Sequence, residues 1–350
     1  MKKYQIIIYG SYGYTGELIA EESLSKNLTV LLAGRNEQKL KSQSKKTAYP
    51  FKAIDLSNPK ELVELLKLGE VVMNAAGPFK NTATQMINAC IEAGVHYLDI
   101  NGDVDVFESI KTFDKKAQLA NIMLMPGIGF DVVPTDCLAV HLKNKMPDAT
   151  RLKIAFATIG SSVSHGTATT VASRLGEKAL VRIDGKLTPI ALGKNGLWVD
   201  FGEKRLFTMS IPWGDLSTAY ESTAIPNIES YIGVKPKVYR LLKFQGLINW
   251  MLRTHVVRML IQRRIDKKPA GPNFEQRKKS YCYVWAEVSN ERGQRLSIRI
   301  KTPEAYNLTA TASLLIAGKI LGGQFATGFQ TPAKMYGEKL VFEIEGVKEI

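Results

Sequence analysis

The sequence has few cysteines and few histidines, and it lacks long apolar runs. Its three cysteines are odd in number and far apart, so they predict neither a disulfide framework nor a thiolate metal cluster and favour a reducing, cytoplasmic compartment. The four histidines lie in separate segments without the spacing of a zinc or iron site, so no metal is expected. No uninterrupted apolar run approaches the roughly 18 residues that a membrane-spanning helix needs.

Acidic residues are scarce in one segment of the chain. Lys and Arg number 47 against 33 Asp and Glu, which gives a net charge of +14 over 350 residues. The segment 235–279 contains 13 cationic and 2 anionic residues, so most of the excess lies there. No motif that reads nucleic acid accompanies this charge, and nucleic acid is therefore not an expected partner.

Apolar residues alternate with these cations at helical spacing, which predicts one long helix near 236–264 with an apolar stripe bordered by Lys and Arg. One interpretation is a core-packed helix with a solvated basic face. The other is a contact surface over residues 235–268 for a membrane, an acidic carrier protein or a CoA phosphate. The sequence is also compatible with an oligomer.

The first 125 residues alternate short β-branched runs with longer amphipathic segments, which is typical of a doubly wound parallel sheet of the Rossmann type. Strands are expected at 4–9, 28–33, 51–54, 70–75, 95–99 and 122–125, with helices at 15–25, 36–46, 59–67, 80–93 and 107–120. Glycines and prolines between 125 and 136 predict the crossing into a second domain.

The second domain is expected to be α+β over a mostly antiparallel sheet. After Pro303 the chain predicts a helix that ends at Gly322 and Gly323 and returns to the first domain. The expected division is therefore a dinucleotide-binding domain over 1–126 plus 303–350 and a substrate domain over 127–302.

Three glycines at GxxGxxG spacing, Gly10, Gly13 and Gly16, lie between the first strand and the first helix. Glycine lets backbone N–H groups approach a phosphate, and the positive end of the helix dipole favours the anion. A purely structural turn is the alternative. Tyr12 occupies the place of the second glycine in the GxGxxG form, so Tyr12 or Tyr14 is expected to lie along a bound dinucleotide.

The second strand ends in Arg35, where an acidic residue would suit a free ribose 2′-hydroxyl. A guanidinium grips phosphate in a bidentate way, so NADP is the expected cofactor, with a solvated surface arginine as the alternative. Asp55, after the third strand, is expected either to accept a hydrogen bond from the adenine amino group or to cap a helix.

Two further strand ends point to the same rim of the sheet. The fourth strand runs into Ala76, Gly77 and Pro78, where small residues leave room for a ligand or form a tight turn. Asp99, Asn101 and Asp103 follow the fifth strand. One of the three is expected to contact nicotinamide or substrate, and the others to form turns.

In order along the chain, "YGSYGYTG", "AGRN", "NAAGPF", "CIEAGVHYLDINGD" and "PGIGFDVVPTDCLA" resemble the saccharopine dehydrogenase-like NADP-binding proteins, particularly the trans-acting enoyl reductases. The resemblance is dense over residues 4–140 and thinner beyond. It implies a Rossmann domain that carries NADP, a second domain inserted before a returning helix, and reduction of a C=C or C=N bond.

The resemblance also implies roles for individual residues. Matches to the family fall on its phosphate loop (Gly10, Gly13, Thr15 and Gly16), its 2′-phosphate contact (Arg35), its nicotinamide-side loop (Ala76, Gly77 and Pro78) and its interdomain motif (Asp131, Pro134 and Asp136). Two positions depart from the family pattern: Tyr12 stands where a small residue is usual, and His165 replaces a glycine.

Hydride transfer requires a proton donor as well as a positioned cofactor. His165 is the first candidate because it lies in a Gly-, Ser- and Thr-rich loop and titrates near neutrality, although a loop histidine is often only solvated. Asp131 is the second, with helix capping as its alternative role. Tyr231 with Lys235 forms a YxxxK pair, which we discount as a chance match far from the expected cofactor site.

The preferred interpretation is an NADP-dependent reductase of a hydrophobic, acyl-linked or lipid-like small molecule, located in the cytoplasm and at a membrane surface. The rival is a catalytically silent NADP-binding protein that associates with lipid or a partner through its basic helix. A third interpretation, an amino-acid dehydrogenase, would need arginines for two substrate carboxylates, for which Arg174 and Arg182 are available.

Overall fold

The computed structural model describes residues 2–350, apart from the side chain of Leu247. The strands are β1 (Tyr4–Tyr9), β2 (Val30–Gly34), β3 (Phe51–Ala53), β4 (Gly69–Asn74), β5 (His96–Asp99), β6 (Met123–Met125), β7 (Arg151–Ile159), β8 (Ala179–Ile183), β9 (Lys186–Ile190), β10 (Gly196–Asp200), β11 (Arg205–Ser210), β12 (Asn227–Gly233), β13 (Tyr281–Ser289), β14 (Arg295–Pro303), β15 (Gly328–Phe329) and β16 (Lys348–Glu349).

The helices are α1 (Tyr14–Leu24), α2 (Glu37–Thr47), α3 (Pro59–Leu66), α4 (Phe79–Ala93), α5 (Val104–Lys111), α6 (Asp114–Leu119), α7 (Val133–Lys145), α8 (His165–Ser173), α9 (Asp215–Thr223), α10 (Pro236–Lys243), α11 (Asn249–Leu252), α12 (His255–Asp266), α13 (Phe274–Lys279), α14 (Ala305–Leu321) and α15 (Pro332–Tyr336). Two 3-10 turns occupy Gln245–Ile248 and Leu340–Glu343. None of the helices described is long and apolar enough to cross a membrane.

The chain forms two compact units. The first extends to Val133 and resumes over Tyr306–Tyr336, and the second comprises Pro134–Ala305 and Gly337–Ile350. The last 14 residues, which were expected in the dinucleotide-binding domain, thus lie in the second unit, because β16 pairs with β14 there.

The first unit is built on a parallel sheet with the strand order β15-β6-β5-β4-β1-β2-β3 among the residues described. Ile6, Ile7 and Ile8 of β1 are fully buried although adjacent strand residues point to opposite faces, so helices cover both faces of the sheet. Each such side chain contributes about 1.5–3 kcal/mol by leaving water. The doubly wound parallel sheet predicted from the sequence is confirmed.

The second unit contains a larger sheet with the order β10-β11-β12-β7-β13-β14-β16 and with β8 and β9 attached through β12. All its pairings are antiparallel except that between β12 and β7. This is the mostly antiparallel α+β arrangement that was expected.

The returning C-terminal segment belongs to the first unit. The hydroxyl of Thr309 on α14 accepts a hydrogen bond of 3.0 Å from the Phe130 amide, and Tyr306 packs edge-on against Tyr14 with ring centroids 5.0 Å apart. After α14 the chain adds β15, which pairs with β6 as a further parallel strand.

Two helix predictions were wrong in detail. The helix expected at 107–120 is divided into α5 and α6, and α5 begins early because the Asp103 carboxylate caps it by accepting from the Asp105 amide. The long helix expected at 236–264 is broken into α10, a 3-10 turn, α11 and α12. The 3-10 turn contains Gly246, a poor helix former, and Thr254 caps a new helix start.

Candidate functional site: a dinucleotide cradle at the rim of the parallel sheet

The glycine turn after β1 is packed too closely for side chains. Gly10 has a φ of +79°, and a Cβ atom on it would lie 2.8 Å from the Cα atom of Ala76. A Cβ atom on Gly16 would lie 2.5 Å from the Gly10 carbonyl oxygen. The turn is also closed by the Gly13 amide, which donates to the Gly10 carbonyl at 2.9 Å. The glycines therefore form a tightly packed turn, which we call the cradle, at the carboxyl end of β1.

Helix α1 begins directly at this cradle. Gly13 is its N-cap and provides no side chain to cap the helix. The first N–H groups of a helix and its dipole together attract an anion, and a pyrophosphate fits a cradle that a Cβ atom would fill. The residues present thus fit the dinucleotide that the sequence predicted.

Ser11 fixes the cradle to the neighbouring helix α2. Its hydroxyl donates to the Gln43 side-chain oxygen at 2.8 Å, and the Gln43 amide nitrogen donates back to the Ser11 carbonyl at 2.8 Å. Both residues are buried. This reciprocal pair holds the turn in place without occupying its phosphate-facing side, and the sequence analysis did not anticipate it.

Tyr12 lies across the end of β2. Its Cε1 atom is 2.6 Å from the place where a Cβ atom on Gly34 would stand, and its hydroxyl accepts from the Asn36 amide at 3.3 Å. The ring therefore borders the start of α2, where Arg35 and Asn36 precede the helix. That Tyr12 lies along the cofactor stays a prediction.

Arg35 is exposed and lies within electrostatic reach of Tyr9 and Asp55. The pKa of Asp55 is lowered, chiefly by a hydrogen bond from the Ser57 amide and further by Arg35. Asp55 does not cap α3, because Asn58 does so. Its exposed carboxylate forms a local turn with Ser57, and its contact with an adenine amino group stays a prediction.

Lys39 is a second cation at this end of the sheet that the sequence analysis missed. Its Nζ atom lies 5.7 Å from the centre of the Tyr12 ring. It lies on the first turn of α2, four residues after Arg35 in the sequence. The sequence offered one indication of Lys39, its position four residues after Arg35. The other lysines of α2 gave no reason to prefer it.

The loop after β4 brings Ala76 beside Gly10, and Gly77 and Pro78 follow it directly. The Asn74 side-chain oxygen accepts from the Ala76 amide at 3.1 Å, and the Thr82 hydroxyl donates to the Ala76 carbonyl at 2.7 Å. Pro78, which follows a cis peptide bond, immediately precedes α4. Hydrogen bonds to both the amide and the carbonyl of Ala76 thus fix this residue at the rim where the nicotinamide-side loop was predicted.

The acidic residues after β5 are fixed by hydrogen bonds. Asp99 is fully buried and accepts from the Tyr97 hydroxyl at 2.7 Å and from the amides of Asn101 and Gly127 at 2.9 Å each. Burial outweighs these bonds and raises its pKa to about 6. Asn101 accepts from the Asp103 amide, and Asp103 caps α5. All three side chains form turns at the rim. Asp99 also connects the end of β5 to the loop after β6, through its hydrogen bond from the Gly127 amide.

Asp131 lies in the loop after β6, beside this acidic turn. Its Oδ2 atom is 2.6 Å from the place where a Cβ atom on Gly102 would stand. Burial raises the pKa of Asp131 to about 7, so a protonated carboxyl is accessible near neutral pH. The structure thus brings Asp131 to the rim formed by the ends of β5 and β6.

His165 belongs to the second unit, where it is the first residue of α8 rather than part of a loop. Its Nε2 atom lies 2.9 Å from the Asp266 carboxylate. The pKa of Asp266 is lowered by the Gln262 hydrogen bond and by His165. The role of His165 as proton donor remains a prediction.

Other sequence candidates have structural roles. Arg182 donates to the carbonyls of Leu216 and Gly185, and its guanidinium lies 4.2 Å from the Tyr220 ring centre. Arg174 pairs with Glu177 at 3.3 Å. Tyr231 donates a short hydrogen bond to Glu229. Asp136 accepts from the Ser222 hydroxyl at 2.6 Å.

The fold and the cradle define a dinucleotide-binding protein of the Rossmann class. Residues 6–125 match the family model of the saccharopine dehydrogenase NADP binding domain. The first unit therefore carries a saccharopine dehydrogenase-like NADP-binding domain, which confirms the resemblance and the NADP-binding domain predicted from the sequence.

Curated relatives carry related names. The chain is 28% identical over 191 residues to the human saccharopine dehydrogenase-like oxidoreductase, a match that covers 47% of this chain and 44% of that protein. It is 28% identical over 149 residues to a trans-acting enoyl reductase of Mycobacterium ulcerans, covering 40% and 36%. It is 27% identical over 157 residues to a lipid droplet localized protein of Caenorhabditis elegans, covering 41% and 37%. The matches thus span less than half of each relative.

Among solved structures, apo saccharopine dehydrogenase (L-Glu forming) from Saccharomyces cerevisiae resembles this chain with a TM-score of 0.69, covering 99% of this chain and 100% of that one. The sequence identity is 10%, so the likeness concerns the fold. It extends over both units and supports the two-domain organisation with a returning helix.

Proposed function

We propose that the protein is an NADP-dependent oxidoreductase that reduces a C=C or C=N bond of a hydrophobic or acyl-linked substrate. The observation that carries this proposal is the glycine cradle at the carboxyl end of β1 with Arg35, Lys39 and Tyr12 grouped at the end of β2. A pyrophosphate site and two cations for a 2′-phosphate describe NADP rather than NAD.

Bound NADPH supplies a hydride, and the residues of the chain must position it and deliver a proton. The cradle orients the pyrophosphate, while Asn74 and Thr82 hold the loop at Ala76 against which the nicotinamide would lie. For an enoyl substrate, bound NADPH would supply the hydride for the β-carbon, and the chain would have to supply the proton that the α-carbon takes.

We further propose that Asp131 supplies this proton. Its carboxyl group lies at the same rim, and burial raises its pKa to about 7, near the optimum for a general acid that works at neutral pH. His165 is the competing donor, and its Nε2 atom lies 2.9 Å from the Asp266 carboxylate.

The substrate class is supported by the relatives rather than by an enclosed pocket. One relative is called an enoyl reductase, which favours the C=C bond, and another is called a lipid droplet localized protein, which favours a lipid-like substrate. The proposed location is accordingly the cytoplasm, at a lipid surface.

The proposal is tested by NADPH consumption with a panel of enoyl thioesters, cyclic imines and quinones. Absorbance reports oxidation, and NADPH deuterated at nicotinamide C4 reports transfer of the label to the product by mass spectrometry. Deuterium in the reduced product of an enoyl or imine substrate is the expected result. Tight NADPH binding without turnover across the panel would instead support the catalytically silent alternative.

The two proton donors are separated by Asp131→Asn and His165→Gln. If Asp131 is the donor, Asp131→Asn lowers kcat by about 100-fold or more and abolishes its decline above neutral pH. His165→Gln should change kcat little. The reverse pattern would assign the proton to His165, and unchanged NADPH affinity in both variants shows that the cofactor site is intact.

A further inference from the structure

The segment 236–266, which we call the basic arm, has large apolar side chains on its surface. Leu241 and Trp250 are each 74% exposed and Phe244 is 65% exposed. Val256 and Leu260 are 59% and 50% exposed. Single exposed apolar residues are ordinary, but a concentration of them within one short segment marks an interaction surface. Side chains this exposed protrude from the surface rather than line a cleft.

Helix α12 shows which side of the basic arm faces outward. Its inner side is attached to neighbouring structure: Gln262 donates to the Thr169 hydroxyl at 3.1 Å, and Arg258 donates to the Leu175 carbonyl at 3.0 Å. Val256 and Leu260 lie at i and i+4 on the opposite side and are exposed. The apolar face of α12 is therefore directed away from its own core.

Cations occupy the same outward sides as the apolar residues. At 100° per residue, Arg263 and Arg264 lie within a quarter turn of Val256 and Leu260 on α12, and all four are exposed. On α10, Lys237 lies four residues before Leu241, within a quarter turn of it, and both are exposed. Long cationic side chains beside protruding apolar ones are the composition of a helix that lies in a lipid–water interface.

We propose that the basic arm docks the protein on an anionic phospholipid membrane surface. Its helices α10 and α12 have 8 and 12 residues, too short to span a bilayer, whose crossing needs about 20. They would lie in the plane of the interface, with Leu241, Phe244 and Trp250 in the acyl boundary and Lys and Arg at the lipid phosphates.

The charge of the arm favours lipid over a second copy of the chain. A symmetric dimer built on this surface would place the same cationic segment on both partners, and residues 235–279 hold 13 cations against 2 anions. Like charges facing each other oppose such an interface. An anionic bilayer supplies both the complementary charge and an apolar layer.

Vesicle co-sedimentation tests the proposal with phosphatidylcholine vesicles, with and without phosphatidylglycerol, at low and high salt. The full chain should bind the anionic vesicles, bind neutral ones weakly, and lose affinity as salt rises. The triple variant Leu241→Ser/Phe244→Ser/Trp250→Ser should bind anionic vesicles at least about tenfold more weakly. Arg263→Glu/Arg264→Glu should lose most of the preference for anionic lipid.

A matched control is Lys115→Glu/Leu119→Ser on α6, which changes an exposed cation and a leucine that is 90% exposed on the first unit. It should bind vesicles like the unaltered chain. Tryptophan emission should shift to the blue on anionic vesicles, and Trp250→Phe should remove the shift.

Negligible binding to both kinds of vesicle, or triple-variant binding equal to that of the unaltered chain, would overturn the proposal. A lipid-free dimer that the triple variant dissociates would also overturn it and assign the face to a second copy. NADPH affinity should be unchanged in the triple variant. The test of membrane binding is therefore independent of the proposed reductase activity.

Discussion

Gly10 and Ala76 approach so closely that a Cβ atom at position 10 would lie 2.8 Å from the Cα atom, the Cβ atom and the amide nitrogen of Ala76. The contact joins the phosphate loop after β1 to the loop after β4, which are the two sides of a dinucleotide crevice in a doubly wound sheet. These are backbone atoms and Cβ atoms, which no side-chain rotation can move, so the contact cannot be relieved by a change of rotamer.

The first prediction concerns this contact. Gly10→Ala should destabilise the protein by more than about 1–2 kcal/mol, the cost of a Cβ atom at a left-handed φ, because a clash with Ala76 is added. Its NADPH affinity should fall at least about tenfold, as the cradle must widen. Urea unfolding and fluorescence titration measure the two effects.

Gly94→Ala provides the control, since Gly94 also has a positive φ of +64° but a Cβ atom there would meet nothing within 4 Å. In this variant only the left-handed backbone conformation should lower the stability, and the NADPH affinity should be unchanged. The interpretation of the cradle would be wrong if Gly10→Ala bound NADPH as tightly as Gly94→Ala.

The second prediction concerns Tyr12, which covers Gly34 at the end of β2. Tyr12→Phe keeps the ring and loses only the hydroxyl that accepts from Asn36, so NADPH affinity should change little. Tyr12→Ala removes the ring and should weaken binding by about two- to tenfold, the range expected for one aromatic contact. Equal affinity of the two variants would show that the ring does not lie along the cofactor.

The third prediction is a pH dependence of stability from Asp99. Burial raises the pKa of Asp99 from the ordinary 3.8 to about 6, so the folded chain holds this proton more tightly than the unfolded chain. The stability that results is fully present below pH 3.8 and is lost as the pH rises through about 6. Between these values, the difference in unfolding free energy between the unaltered chain and Asp99→Asn should decline by up to about 1.4 kcal/mol per pH unit.

The comparison with Asp99→Asn is necessary because His96 acts in the opposite direction. Burial lowers the pKa of His96 from 6.5 to about 4, so its contribution is lost as the pH falls through that range. The two groups partly cancel in the unaltered chain. Parallel stability profiles of the unaltered chain and Asp99→Asn would show that Asp99 does not titrate in this window.

The parallel sheet was predictable because its strands are β-branched and aliphatic runs buried on both faces, as in Ile6, Ile7 and Ile8. The breaks in the basic arm were not predictable from periodicity. A helical pattern continues across Gln245–Ile248 in the sequence, whereas the backbone there forms a 3-10 turn. Thr254, which caps α12, resembles an ordinary helix residue until its hydrogen bond is seen.

The candidate site was predictable where backbone geometry requires a residue type, as at Gly10 and Gly16. It was less predictable where the role depends on burial. Spacing placed Asp99 and Asn101 at the rim, but only the fold shows that their side chains are enclosed in turns. Lys39 was not predicted as a site residue because its proximity to Tyr12 depends on the orientation of α2.

The fourth prediction concerns the two cations at the end of β2. A charge-assisted hydrogen bond contributes about 1.5–3 kcal/mol, so Arg35→Glu should weaken NADPH binding by about 10- to 100-fold or more, and Lys39→Ala should have a smaller effect. NADH lacks the 2′-phosphate, so its affinity should change little in either variant. Lys41→Glu is the charge-matched control for Arg35→Glu, since Lys41 is exposed on the opposite side of α2 from Lys39.

The most direct test of the central claim is calorimetric titration of the unaltered chain, Arg35→Glu and Lys41→Glu with NADPH and with NADH. If Arg35 binds the 2′-phosphate, the unaltered chain and Lys41→Glu prefer NADPH, and Arg35→Glu loses this preference while it retains its NADH affinity. Absence of binding heat with both nucleotides, or an NADPH preference that survives Arg35→Glu unchanged, would contradict it.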